Sequence, residues 1–414
     1  MEKIGVYCDI ISGYAFKASD LKASGDVPIV KIGNISNRHG IIFDSNTQYV
    51  DNALLSINNK YHIQNGDILI SLTGSHINQP NSMVGRCCRN TSNILFLLNQ
   101  RAGKAIPKTN VDKDYLYHLF CLDAVKFSIA NMAYGGANQV NVSPKDIMKI
   151  RWEFPLISVQ QKIASILSTY DTLIENNTKR IRLLGQMAEN LYKEWFVRFR
   201  YPGYEKSEME NGVPKDWKKE RLGNFLKFER GVGYGSKDIE SGDYTLLSMN
   251  NIKPYGGFIP DYSRPFSGKF KEFQLLKEND LIMSITDMTQ DRRIIGYVGI
   301  VPPGPANRVI CTHLIKISSS LYGSFFLNGL FNYSGLSRVI AERATGTNVL
   351  GMTADILKKV KCILPDHSLI ERYESIAQKL FTEKFKLEEQ NSLLIRQRDL
   401  LLPRLMSGKL EVTV

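Results

Sequence analysis

GGANQVNVSPKDIMKIRWEFP, residues 135–155, is answered by TGTNVLGMTADILKKVKCILP at residues 345–365. Both run from a glycine-containing loop through a short helical pattern to an apolar strand that stops at a proline. Outward from this pair the correspondence recurs in order. NGDILISLTG (65–74) matches ENDLIMSITD (278–287), and Val84-Gly85 is set against Val298-Gly299. Near the start, SGYAFKASDLKASGDVPIVKIGNI (12–35) matches VGYGSKDIESGDYTLLSMNNI (232–252). Its anchors are Gly13-Tyr14 with Gly233-Tyr234, Lys17 with Lys237, Ser24-Gly25-Asp26 with Ser241-Gly242-Asp243, and Asn34-Ile35 with Asn251-Ile252. The offset narrows only from about 220 to about 210 residues. Chance would not keep order and spacing over so many blocks, so the chain is an internal duplication.

Within each half the pattern is mixed α/β. β-rich runs at 27–32, 67–72 and 281–285 alternate with Gly/Asn/Ser/Pro loops, the signature of strands and turns. Apolar residues at helical spacing then predict helix over 115–130 and 325–341. Each half closes with a long helix. Residues 158–199 contain no proline and carry apolar positions that include Ile163, Tyr170, Leu184, Leu191 and Trp195. Residues 369–406 keep a seven-residue repeat at Tyr373, Leu380, Leu387, Leu394 and Leu401. Such a narrow stripe suits a coiled-coil seam, and the sister helix is the nearest partner that could bury it. Asn177 and Asn391 fall at polar positions of the seam or on the surface. The charged, Pro- and Gly-containing stretch 201–223 reads as a linker. The expected architecture is a pseudo-two-fold repeat. It has similar domains at 1–156 and 216–366, a central helix at 157–200, a linker at 201–215 and a closing helix at 367–414, the two helices forming an antiparallel coiled coil.

With 414 residues, 43% hydrophobic and 23% charged, the composition is that of a globular protein of more than one domain. No uncharged apolar stretch reaches the roughly 18 residues of a membrane span, and the opening MEKIGVYCDIISG does not read as a secretory signal. Six cysteines without a CxxC fit reduced thiols in a cytoplasm, Cys87-Cys88 reading as two small strand residues. The net charge of +12 favours a polyanionic partner. It is spread over both halves, net +7 in residues 1–207 and +5 in 208–414, so it is no terminal tail.

Catalytic patterns are missing from the sequence. No Gly-Lys pair is followed by Ser or Thr, there is no HExxH, and the six histidines are scattered without ligand spacing. No Glu-x-Lys triplet of a metal-dependent nuclease occurs, nor an Asn/Asp-Pro-Pro-aromatic tetrapeptide of an amino-methyltransferase. Neither a metal site nor a cofactor site is expected.

Three stretches carry a resemblance: DYLYHLF…YGGANQVNVSPKDIMKIRWEFPLISVQQKIASIL (114–167), NLYKEWFVRFRYPG…ENGVPKDWKKERLG (190–223) and SLLIRQRDLLLPRLMSGKLEV (392–412). Together with the order of parts, they resemble the specificity (S) subunit of type I restriction–modification enzymes over essentially the whole chain. The resemblance implies two target-recognition domains, each reading one half of a bipartite site in double-stranded DNA. It implies paired helices that space those domains and dock two methyltransferase (modification) subunits, with two restriction/translocase subunits joining for cleavage. AdoMet, ATP and Mg²⁺ would then belong to those partners. The halves depart from one another in two places. ITDMTQDRR (285–293) stands where the first half has LTGSHINQP (72–80), and HSLIERYESI (367–376) lacks the Gln-Gln pair of SVQQKIASI (158–166).

Sequence reading of DNA requires side chains able to bond base edges, with cations on phosphates. In the first half the loop 73–81 offers Ser75, His76, Asn78 and Gln79, the loop 134–141 offers Tyr134, Asn138, Gln139 and Asn141, and the N-terminal loop offers Tyr14 and Lys17. In the second half Thr289, Gln290, Asp291, Arg292 and Arg293 take the first of these places and Arg343, Thr345 and Asn348 the second, with Tyr234, Lys237 and Lys253 completing the set. Arginines favour guanine O6 and N7, so the half-sites should differ and the second should depend more on G·C pairs. Other readings remain open: a stand-alone DNA-binding regulator, a recognition subunit of a related methylation-linked defence system, and an RNA-binding or assembly scaffold, disfavoured because no aromatic-rich RNA-binding pattern occurs.

Overall fold

The computed structural model describes residues 1–38, 40–75, 84–136, 139–260 and 264–412. The chain divides into two compact units, Met1–Glu175 with Ser392–Val414, and Asn176–Asn391.

In the first unit a four-stranded antiparallel sheet runs in the order Cys8–Ser12, Ala102–Pro107, Ile68–Ser71, Cys87–Arg89. In the second unit Lys227–Arg230, Leu314–Ser318, Leu281–Ser284 and Val298–Ile300 repeat that order. A second layer repeats as well. Val27–Val30 lies parallel to Phe96–Leu98 in the first unit, as Tyr244–Leu247 does to Arg308–Ile310 in the second.

The duplication extends to a buried charge. Lys104 sits mid-sheet and donates to the His62 carbonyl at 2.7 Å and to Asp67 at 3.4 Å. Lys316 occupies the matching strand and donates to Asp280 at 2.7 Å. Asp67 and Asp280 also accept from the backbone N–H three residues before them, so each carboxylate closes its turn while neutralising an ammonium that the sheet would otherwise strand.

The predicted helices over 115–130 and 325–341 are each broken in two: Lys113–Phe120 and Asp123–Asn131, then Ser324–Asn332 and Leu336–Ala341. Leu122 holds extended backbone at the first break, and Gly335, at φ +87°, starts the second helix after the other. Part of the predicted linker is also sheet. Lys218–Arg221 pairs antiparallel with Lys361–Leu364, the counterpart of Glu2–Lys3 with Arg151–Trp152.

Two of the matched blocks are out of register. In three dimensions Gly13 corresponds to Gly231, because both enter the sheet where a Cβ would lie 2.3 Å and 2.1 Å from a facing carbonyl oxygen. Gly233, by contrast, has open space around it. Tyr234 therefore matches Phe16, and Lys17 matches Gly235, each donating its N–H to the aspartate three residues on. Similarly Gly85 corresponds to Gly296, both at positive φ and both donating to the serine carbonyl that ends the neighbouring strand. Steric need for glycine, rather than the Gly-Tyr and Val-Gly doublets, fixes the register.

The long helices span Ile157–Tyr192, continued by a wide turn over Lys193–Val197, and His367–Met406. In the second unit Arg180 pairs with Glu383 at 3.1 Å, and Tyr192 meets Tyr373 with ring centroids 5.6 Å apart. In the first unit Asp171 pairs with Arg398 at 2.7 Å, and Ile163 and Leu167 share a cluster with Leu402 and Leu405. In both units position rises on one helix as it falls on the other, so the pairing is antiparallel. Ile163, Tyr373 and Leu387 are buried, while Tyr170, Leu184, Leu191, Leu380, Leu394 and Leu401 are half-buried. The deeper series lies beside them, at Gln160, Leu167, Ile174 and Ala188 and at Ile370, Ala377, Asn391, Arg398 and Leu405. Trp195 and Phe196 pack into the core of the second unit. All six cysteines are buried free thiols. Among the described residues no helix is long and apolar enough to cross a membrane.

Candidate nucleic-acid interface

Among the described residues, the loops that carry the candidates leave each central sheet at one end. In the first unit Gly13 donates to the Ala102 carbonyl and Leu72 to that of Arg101, both at 3.0 Å. The chain therefore leaves the sheet at neighbouring points toward Tyr14 and toward Thr73. Thr73–Gly74 then pairs with Val140–Asn141, which pairs with Tyr134–Gly135. A three-stranded ribbon thus ties together the two loops that sequence reading had singled out separately. Thr73 Oγ1 donates to Asn141 Oδ1 at 2.7 Å, so Asn141 braces the ribbon. Tyr134 stands out with 61% of its surface exposed, and Gln139 is exposed beside it. Ser75 is half-buried, Tyr14 packs on Phe16 and Tyr61, and Lys17 is exposed. His76, Asn78, Gln79 and Asn138 lie outside the described residues.

The second unit repeats this plan with different chemistry. Gly231 donates to the Leu314 carbonyl and Ile285 to that of His313. Thr286–Asp287 pairs with Leu350–Gly351, and Gln290 Nε2 donates to the Thr347 carbonyl at 2.7 Å. Gln290 and Thr289, whose hydroxyl donates to Asp287 at 2.8 Å, therefore brace the loops. Arg343, Thr345 and Asn348 are exposed, as are Lys253 and Arg293. Arg293 pairs with Asp291 at 3.3 Å, and its carbonyl accepts from Tyr255 N–H at 2.8 Å, which brings the turn bearing Lys253 against the arginine loop. Tyr234 is half-buried in the second layer and Lys237 is exposed on its turn.

Two exposed side chains escaped the sequence reading. Tyr255 holds φ +65° with 63% of its surface exposed, and Met288 is 65% exposed at the tip after Asp287. Neither belongs to a repeated block, and an isolated aromatic or methionine in a loop carries no periodic signal. The described candidates at the ribbon of the first unit are uncharged, whereas the second unit carries the exposed Lys253, Arg293 and Arg343 and the half-buried Arg292. Planar guanidinium groups can grip guanine edges or phosphates, and polar or aromatic groups can meet adenine edges and sugars. Among the described residues no group of three or more His, Cys, Asp or Glu is placed to hold a metal.

Residues 2–185 match the family described as Type I restriction modification DNA specificity domain. The chain is similar to the type I restriction enzyme MjaIX specificity subunit of Methanocaldococcus jannaschii, 26% identical over 323 residues that cover 76% of this chain and 73% of that protein. A second relative in the same organism, the putative MjaX specificity subunit, is 23% identical over 85% of this chain and 79% of its own length. The fold of the present chain is shared with the crystal structure of a type I restriction-modification S subunit from M. genitalium, at a TM-score of 0.61 and 16% identity, covering all of this chain and 96% of the other.

Proposed function

We propose that the chain is a specificity subunit of the type I restriction–modification family, to whose DNA specificity domain residues 2–185 are similar, and that it supplies the DNA sequence specificity of such a complex. Each unit reads one half of an asymmetric bipartite site. The observation that carries this reading is the pairing of a duplicated framework with unlike loops at the same sheet end: a polar ribbon with Tyr134 in one unit, Lys253, Arg292, Arg293 and Arg343 in the other. A symmetric framework presents two equivalent reading heads, and unlike loops make them read unlike bases.

Membership in this family implies a non-catalytic role. Methyl transfer, DNA translocation and cleavage then reside in partners: two methyltransferase subunits, joined for restriction by two restriction/translocase subunits. Those partners hold the AdoMet, ATP and Mg²⁺. The long helices are the surface on which the methyltransferases dock.

The test is to co-express the chain with its methyltransferase and sequence the methylated adenines. A bipartite motif that disappears when this chain is withheld supports the reading. Methylation that is unchanged without it, or a chain that binds its own site tightly and alone, counts against it.

A further inference from the structure

Asp287 is buried to 2% exposure at the root of the arginine loop. Its Oδ1 accepts from the Thr289 N–H at 2.9 Å and the Thr289 hydroxyl at 2.8 Å, and its Oδ2 accepts from the Ile294 N–H at 3.0 Å. One carboxylate thus grips both ends of the excursion 288–293. Between those ends Arg292 sits at φ +53°, a left-handed conformation that a non-glycine residue adopts only at a cost. Gln290 is fastened to the facing loop and Arg293 to the turn at Tyr255, so the loop is held from three sides. The matching position in the first unit is Gly74, which has no side chain to offer.

We infer that Asp287 is a positioning residue for DNA reading: it holds Arg292 in the conformation that recognises a base edge, so part of the specificity of the second half-site resides in a buried carboxylate that touches no DNA. This rests on the proposed function of the chain. Preorganisation is the physical basis, because a loop already fixed in its bound form does not lose that freedom on binding. Burial of an ionised group is compensated here by three hydrogen bonds to it. The charge also lies beneath an arginine-bearing loop, where it favours retention of the cations.

The experiment uses the complete complex with its methyltransferase, presented with randomised duplex DNA, and sequences the methylated products. Arg292→Ala identifies the half-site that this loop reads. Asp287→Asn and Asp287→Gly, the latter copying the first unit, are expected to lower base discrimination at that half-site by about tenfold. Discrimination at the other half-site and the salt dependence of DNA binding should stay unchanged, because no cation is removed, while the thermal midpoint falls modestly for the lost hydrogen bonds. In an Asp287→Asn background, Arg292→Ala should add little, since the two act as one unit. Undiminished discrimination in Asp287→Asn overturns the inference, as does an equal loss at both half-sites or full additivity with Arg292→Ala. A wild-type complex with no sequence preference removes the proposed function and this inference with it.

Discussion

Gly135 and Gly346 stand at equivalent turns of the two reading ribbons, at φ +147° and +139°. A Cβ there would lie 2.4 Å from the Gln139 carbonyl oxygen in one and 2.0 Å from that of Val349 in the other. Gly346→Ala is therefore expected to distort the second ribbon and weaken reading of its half-site, with the first half-site retained; methylated-site sequencing checks this. Arg292→Ala should relax the second half-site more than Arg293→Ala, because Asp291 already engages Arg293. Equal effects would count against that ranking. His118 tests a different property. Burial, then the nearby guanidinium groups of Arg89, Arg398 and Arg38, pushes its imidazole down to about 3. Between that value and the ordinary 6.5 the unfolded chain binds a proton that the folded chain refuses. Stability of the first unit should therefore fall as pH drops below about 6.5, by up to about 1.4 kcal/mol per pH unit. Urea titrations of His118→Gln at about pH 7 and about pH 5 should show a smaller loss than the wild type. Little of this was legible beforehand. Residue types picked out loops that the fold brings to one sheet end, but Asn141, Thr289 and Gln290 brace those loops, since which end of a polar side chain is already bonded depends on the fold around it.

The long helices were the most legible elements, because apolar spacing survives any tertiary context. What the pattern concealed was the second half of the seam. The leucine series on the closing helix is conspicuous, yet the deeper series contains Asn391 and Arg398, which apolar counting discards. Arg398 is buried between Asp171 at 2.7 Å and Asp399 at 3.0 Å. Asp399 also pairs with Arg38 at 2.8 Å, in a segment far from either helix in sequence. Removing Arg398 strands the largely buried Asp171 carboxylate, while Asp399 keeps Arg38, so Arg398→Ala should cost about 3 kcal/mol in urea unfolding. Replacing Arg398 and Asp171 together by Met and Leu should recover much of that loss; failure to recover would mean that the ion pair itself stabilises. Asn391 donates to Thr178 at 3.1 Å, a pairing that only one register of the helices permits.

At the scale of the whole molecule, the duplication was readable from blocks that kept their order, although two of them were matched out of register. Short anchors such as Gly-Tyr recur by chance within a few residues; close backbone approach at Gly13 and Gly231 decides between them. If the helices set the spacing of the reading heads, inserting four residues near the middle of the first, about one turn, should change the gap between the recognised half-sites. Sequencing the methylated motif decides it, and an unaltered gap would defeat the ruler idea. The second unit is a continuous stretch, Asn176–Asn391, whereas the first draws on both Met1–Glu175 and Ser392–Val414. A ribosome that has released Asn391 has delivered every residue of the later unit, while the earlier one still lacks Leu402, Leu405 and Met406 of its core. The half made first is thus completed last, and its apolar face stays uncovered until Leu402, Leu405 and Met406 have emerged.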